Sequence, residues 1–255
     1  MRGKPRFIIV EDAHAVATTA AGLVIDAARQ AVAARGVFHW CATGGSTPAA
    51  LYATLRNESL SKQMPWSQTH IWFGDERHVS RTDPLSNAAL VDELLILKGK
   101  GYMAVSDSGA QVHAWPTKLG GPEAVASYLM ELNTFNVPLD KSGFPIFDLL
   151  MIGVGSDGHC LSVFPGSELT QVGAPVAAAV EAPTHIDPHV PRLTFSLGVL
   201  SSARSVCVSA VGVSKAKALS SILDSTLSTF NFPAKAALLD TAIWVVDRAA
   251  SDGLR

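Results

Sequence analysis

The 255 residues are 48% hydrophobic and only 16% charged, with 20 Lys and Arg against 22 Asp and Glu for a formal net charge of −2. That balance excludes a disordered chain and supplies no field to recruit nucleic acid or an anionic membrane surface, so any bound anion has to be held by local groups. Three cysteines, Cys41, Cys160 and Cys207, are far apart, odd in number and without metal-ligand spacing, and read as buried thiols in a reducing compartment.

Residues 7–10 read as a first buried strand. The apolar run there is broken by Glu11 and Asp12 and is too short for a signal peptide, and no stretch approaches the roughly 18 apolar residues of a membrane span, so a soluble cytoplasmic protein is expected. Asp12 can cap a helix over 13–34, with Val16, Ala20, Leu23, Val24, Ala27 and Ala31 along one face and Gly36 as its stop. A second strand over 37–42 runs into Thr43-Gly44-Gly45-Ser46-Thr47-Pro48, where Pro48 suits the first helical position and Ser46 or Thr47 the cap of a helix through residue 55. A third strand over 70–73 ends at Gly74-Asp75-Glu76-Arg77, and Ser86 or Asn87 caps a helix ending near residue 97. Residues 98–110 read as a polar surface loop, 112–115 as a strand and 122–132 as a helix.

The run 147–152 has the continuous apolar pattern of a strand buried on both faces, and it ends in Gly153, Gly155 and Gly158 interleaved with Ser156, Asp157 and His159. Strands follow over 176–180 and 192–196, separated by a loop over 181–191, then a strand over 204–210, a helix over 214–223 and a last strand over 242–246. With no repeat and no linker, the β-loop-α alternation predicts one α/β domain over 1–255, a single doubly wound, mostly parallel sheet with helices on both faces.

In such sheets ligands collect outside the carboxyl ends of the strands. The loop Gly44-Gly45-Ser46-Thr47 is either a plain tight turn with a helix cap or a phosphate cradle of free N–H groups, hydroxyls and a helix N-terminus. Asp75-Glu76-Arg77 is either a solvated loop or part of the same rim. Gly153 to Gly158 matches the dinucleotide pattern G-x-G-x-x-G, but Pro165-Gly166 leaves no room for the helix that pattern requires, and His159 stands where a small residue is needed. A catalytic loop fits better: His159 can act as a base near neutral pH, and Asp157 can orient its ring or help place a substrate. Arg192 alone reads as a surface charge, whereas Lys215 follows Gly212 and Ser214 at another strand-to-helix junction where a phosphate could sit. His14, His39, His70, His78 and His113 are scattered, and His185 and His189 lie among Pro183, Pro188 and Pro191, so no metal site is expected.

Taken in order, TGGSTPAALY (43–52), WFGDERHV (72–79) with Ser86-Asn87, FDLLMIGVGSDGH (147–159) with FPG, PRLTFS (191–196), VGVSKAKAL (211–219) and Pro233-Ala234 resemble the 6-phosphogluconolactonase family over nearly the whole chain. The resemblance implies a Rossmann-like fold shared with glucosamine-6-phosphate deaminase. It also implies hydrolysis of 6-phospho-D-glucono-1,5-lactone in the oxidative pentose phosphate pathway, without a cofactor. By the same likeness His159 is the general base, Asp157 its support, Arg77 a group lying against the substrate, and Gly44, Gly45, Ser46, Thr47, Asp75, Arg192 and Lys215 substrate ligands, most of them around the phosphate. The expected partner is a small sugar-phosphate lactone, with no nucleic acid and no membrane, bound by a monomer or weak homodimer. Cys160, Leu161 and His78 depart from the family pattern and put the fine pocket shape in question. An amino-sugar-phosphate deaminase would carry an acid, as N-E-P, where this chain has Val163-Phe164-Pro165-Gly166. A non-catalytic sugar-phosphate sensor would carry an N-terminal helix-turn-helix.

Overall fold

The computed structural model describes residues 4–97 and 109–254. Its strands in chain order are β1 (Arg6–Val10), β2 (Phe38–Ala42), β3 (Thr69–Phe73), β4 (Asp75–Arg77), β5 (Gln111–Val112), β6 (Leu149–Ile152), β7 (Ala177–Val180), β8 (Arg192–Phe195), β9 (Val206–Ala210) and β10 (Ala242–Asp247). The helices are α1 (Ala13–Arg35), α2 (Ser46–Leu55), α3 (Glu58–Ser61), α4 (Asn87–Val91), α5 (Gly121–Thr134), α6 (Gly198–Ser202), α7 (Ala216–Leu223) and α8 (Arg248–Ser251). Seven strands form a wholly parallel sheet in the order β1-β10-β9-β6-β2-β3-β5.

All five residues of β2 are buried, as a strand covered on both faces requires. Neighbouring residues of a strand point to opposite faces, and β2 and β3 register Trp40 beside Ile71 and Cys41 beside Trp72. Trp40 meets Tyr52 of α2 edge-on at 5.9 Å, while Trp72 meets Tyr128 of α5 at 5.9 Å, so these helices cover opposite faces of the sheet. Asp12 caps α1 through the amide of Ala15 at 2.9 Å, and Gly36 ends it in the left-handed conformation at φ 76°. The doubly wound reading therefore holds. From β2 the chain steps outward to β3 and β5, then returns to β6 on the other side of β2. That reversal opens a crevice at the carboxyl ends of β2 and β6.

The expectation of a single sheet needs one correction. The strands read at 176–180 and 192–196 do not enter the parallel sheet; β7 and β8 pair antiparallel with each other and with β4, in the order β4-β8-β7. The cause lies in the apolar side of β8: the Phe195 ring sits 5.4 Å from Trp115, 6.0 Å from Tyr128 and 5.9 Å from Phe147, which docks this small sheet over α5 and the Trp72 side. The Asp75-Glu76-Arg77 stretch, read as a loop, is thus its edge strand. The strand expected over 112–115 is paired only at Gln111–Val112. The helix expected up to residue 97 is α4 followed by a wider turn over Asp92–Ile96. Of the loop read at 98–110, residues 98–108 lie outside the described residues.

Candidate active site

A cavity of about 260 Å³ opens at the carboxyl ends of β2, β3, β6 and β9, and the loops after those strands line it. On the β2 side the Tyr52 hydroxyl donates to the Thr43 carbonyl at 2.6 Å and accepts from the Thr43 amide at 3.1 Å, pinning the start of the Gly44–Thr47 loop. Gly45, at φ 109°, is the N-cap of α2 and the helix begins at Ser46, so neither Ser46 nor Thr47 caps it as expected; Pro48 lies in the first turn. A residue without a side chain at the cap leaves both hydroxyls and the first N–H groups of α2 to the cavity they line. Gly44 is required by packing: a Cβ there would lie 1.8 Å from the Asn87 Oδ1. That Oδ1 is buried without a hydrogen-bond partner, while the Asn87 Nδ2 donates to the Asp75 carbonyl at 2.9 Å.

Glu76 organises the β3 side. Its buried carboxylate accepts from the amides of Arg77 (2.8 Å), Asn87 (2.7 Å) and Ala88 (2.8 Å) and from the Ser86 hydroxyl (3.0 Å). Burial pushes the Glu76 carboxyl up, against four hydrogen bonds that favour its ionised form. Asp75 lines the cavity but spends one oxygen on the Ser162 hydroxyl at 2.6 Å. Arg77 donates to the Leu85 carbonyl at 2.7 Å and stands directly across the ladder from Arg192. Burial, and then the like charge of Arg77, lower the affinity of Arg192 for its proton, and its Nε is buried without a partner. Both arginines line the cavity. Across it, the Lys215 ammonium donates to the Val154 carbonyl at 2.8 Å. Burial lowers the Lys215 pKa, against the charge of Asp157.

The loop after β6 closes on itself, the Gly155 amide donating to the His159 carbonyl at 2.9 Å, with Gly158 at φ 87°. No helix follows; residues 160 and 163 form a single antiparallel bridge instead, so the dinucleotide pattern is a coincidence of spacing. His159 lines the cavity, and its Nδ1 lies 2.6 Å from the Asp157 Oδ1. Burial opposes ionisation of Asp157, but the hydrogen bonds and charge of His159 and the hydrogen bond from His185 outweigh it and hold the carboxyl well below the usual range. An ionised carboxylate only accepts, so His159 must carry its hydrogen on Nδ1. Nε2 is then the basic nitrogen whenever the ring is neutral. Asp157 thus holds the ring at Nδ1, an arrangement compatible with the orienting role read for it in the sequence.

A sequence profile described as "Glucosamine-6-phosphate isomerases/6-phosphogluconolactonase" matches residues 11–244. The chain belongs to that family. It is 33% identical over 228 residues to the 6-phosphogluconolactonase of Synechocystis sp., covering 89% of this chain and 88% of that one. Against the 6-phosphogluconolactonase of Streptomyces coelicolor the identity is 31% over 271 residues, covering 100% and 96% of the two chains. In fold it resembles 6-phosphogluconolactonase from Trypanosoma brucei, with a TM-score of 0.82 at 23% identity over 99% of this chain and 100% of that one.

Within this family framework the sequence reading missed several groups at the cavity. His185 donates to the second oxygen of Asp157 from the far loop, and nothing in its spacing announced that. Asn87 was legible only as a cap. Ser209 lines the cavity with its hydroxyl buried and unpartnered, and one polar residue in the otherwise apolar β9 run was a signal available in the sequence. Of the departures from the family pattern, His78 turns away to the Leu119 carbonyl at 2.9 Å, Cys160 is buried, and Leu161, at φ 54°, borders the cavity. Among the described residues no group of three or more His, Cys, Asp or Glu could hold a metal ion, and no helix is long and apolar enough to cross a membrane.

Proposed function

We propose that this chain is a 6-phosphogluconolactonase, hydrolysing 6-phospho-D-glucono-1,5-lactone to 6-phospho-D-gluconate in the oxidative pentose phosphate pathway. The observation that carries the reading is the His159–Asp157 pair, 2.6 Å apart, on the rim of a cavity whose other walls hold Arg77, Arg192, Lys215 and the uncapped start of α2. In this reading the substrate phosphate lies among those cations and the Gly44–Thr47 loop, which places the lactone ring towards His159. Water on His159 Nε2 loses a proton as its oxygen attacks the lactone carbonyl. Loop N–H groups or a nearby cation stabilise the oxyanion, and the imidazolium returns the proton to the ring oxygen as the C–O bond breaks. No cofactor is needed for that sequence. The protein would act on a small molecule in the cytoplasm as a monomer or weak homodimer, without nucleic-acid or membrane partners.

The competing deaminase chemistry wants a carboxylate shortly after the histidine; here Phe164 lies against His159, ring centroids 5.0 Å apart. An assay of lactone hydrolysis corrected for spontaneous ring opening tests the assignment. His159→Ala should lower kcat by at least about 10² with little change in KM. Near-wild-type turnover in that variant, or turnover of an amino-sugar phosphate in its place, would refute it.

A further inference from the structure

Asp157 is shared by two imidazoles. Its Oδ1 accepts from the His159 ring at 2.6 Å and from the His159 amide at 3.1 Å, while its Oδ2 faces the His185 Nε2 at 2.9 Å. Because the carboxylate is an acceptor only, His185 must present Nε2–H to it. The ring of Phe164 packs against both, 5.0 Å from His159 and 5.7 Å edge-on from His185. His185 comes from the loop between β7 and β8, whose next residues, Ile186 and Asp187, line the cavity.

The torsion that turns an Asp carboxylate is broad and roughly two-fold, so the ring and amide hydrogen bonds, both on Oδ1, still leave the far oxygen and the plane of that group loosely fixed. A donor on the far oxygen removes the freedom. We infer that His185 is a positioning residue for the hydrolysis: it locks the Asp157 carboxylate so that Oδ1 keeps the His159 ring in one orientation, and it ties the 181–191 loop to the catalytic loop. His185 reaches the chemistry only through Asp157, and its contribution to turnover rests on the lactonase reading above.

The side chain of His185 is 50% exposed, so its replacement should leave folding intact. His185→Ala should lower kcat about 3- to 10-fold, the worth of one net hydrogen bond, with KM inside about twofold. His185→Gln, which keeps an N–H donor of similar reach, should recover most of the loss. An unchanged kcat in His185→Ala, a rise in KM alone, or a Gln variant as impaired as Ala would overturn the inference. A readout independent of turnover separates it from the functional assignment. Nitrogen-15 and proton spectra of the ligand-free wild type should show His159 protonated on Nδ1 and His185 protonated on Nε2, with the His159 Nδ1 proton exchanging with solvent faster in His185→Ala because its carboxylate partner turns. If the wild type fails to hydrolyse the lactone while those spectra hold, the functional reading falls and the positioning role stands. If the His159 Nδ1 proton exchanges no faster in His185→Ala than in the wild type, the positioning role falls whatever the activity.

Discussion

The loop that carries His159 depends at the residue scale on an absent side chain. A Cβ on Gly155 would lie 2.1 Å from the His159 Nδ1 and 2.5 Å from the Asp157 Oδ1, so the imidazole can dock on its carboxylate only because the position is glycine. Gly155→Ala must push the ring off that hydrogen bond, and misplacing a catalytic group by about 1 Å can cost on the order of 10² in rate. Steady-state kinetics should show kcat falling by that order with a much smaller loss of thermal stability; wild-type kcat in the alanine variant would show that the ring is not held this way. Here the sequence was informative, because an acid and a histidine on a glycine-dense strand end need little tertiary information to be read together. His185 was not legible. It lies 28 positions from Asp157 and meets it only because the loop after β7 folds back over the cavity.

At the scale of elements, the small antiparallel sheet puts Arg77 of β4 directly opposite Arg192 of β8. Like charges facing each other across a ladder are unfavourable, and the Arg192 guanidinium is mostly buried with its Nε unpartnered. The pairing makes sense if an anion sits against both groups. Arg192→Met should then raise KM about tenfold or more while leaving the ligand-free protein no less stable, since it removes the repulsion along with the charge. Thermal unfolding with the product 6-phosphogluconate checks the linkage: at a hundredfold excess over Kd the wild type should gain about 2.7 kcal/mol, and the variant clearly less at the same concentration. Equal gains would remove Arg192 from the anion site. The parallel sheet was readable because most of its strands are apolar runs followed by a loop and, in most cases, a helix; its edges depart, β1 being only half-buried and β5 two residues long. The second sheet was not, since β4 is three polar residues, Asp75–Arg77, whose strand character comes wholly from pairing with β8.

Over the whole molecule, the carboxyl ends of the strands carry the cavity, while a histidine network that sequence spacing could not reveal crosses the sheet near the amino ends of β2 and β3, with His39 and His113 buried and His70 half-buried. His39, His70 and His113 are far apart in the chain and meet because β2, β3 and β5 are neighbours. Trp72 Nε1 donates to the His39 Nδ1 at 3.2 Å, which requires a lone pair there and hence a neutral ring. His113 Nδ1 lies 2.7 Å from Glu131 and its Nε2 lies 3.0 Å from the His70 Nδ1, a chain that works when both rings are neutral and each donates one hydrogen onward. Asp148, paired with Arg35 and Arg204, accepts from the His39 amide on the same side. Burial, then the neighbouring His70, pull the His39 pKa from 6.5 down to about 4; burial also lowers His70 and His113, the latter against Glu131. The unfolded chain therefore takes up these protons at higher pH than the folded one. The stability they support is complete above pH 6.5 and is lost as pH falls through the window from 6.5 to about 4. For His39 alone that shift is worth on the order of 3 kcal/mol, a large part of the roughly 5–15 kcal/mol that holds a domain folded. Denaturant unfolding at a series of pH values between 7.5 and 4 should show stability dropping steadily below 6.5, with a shallower slope in His39→Gln, which cannot take up a proton. A wild-type slope in that variant would place the acid sensitivity elsewhere.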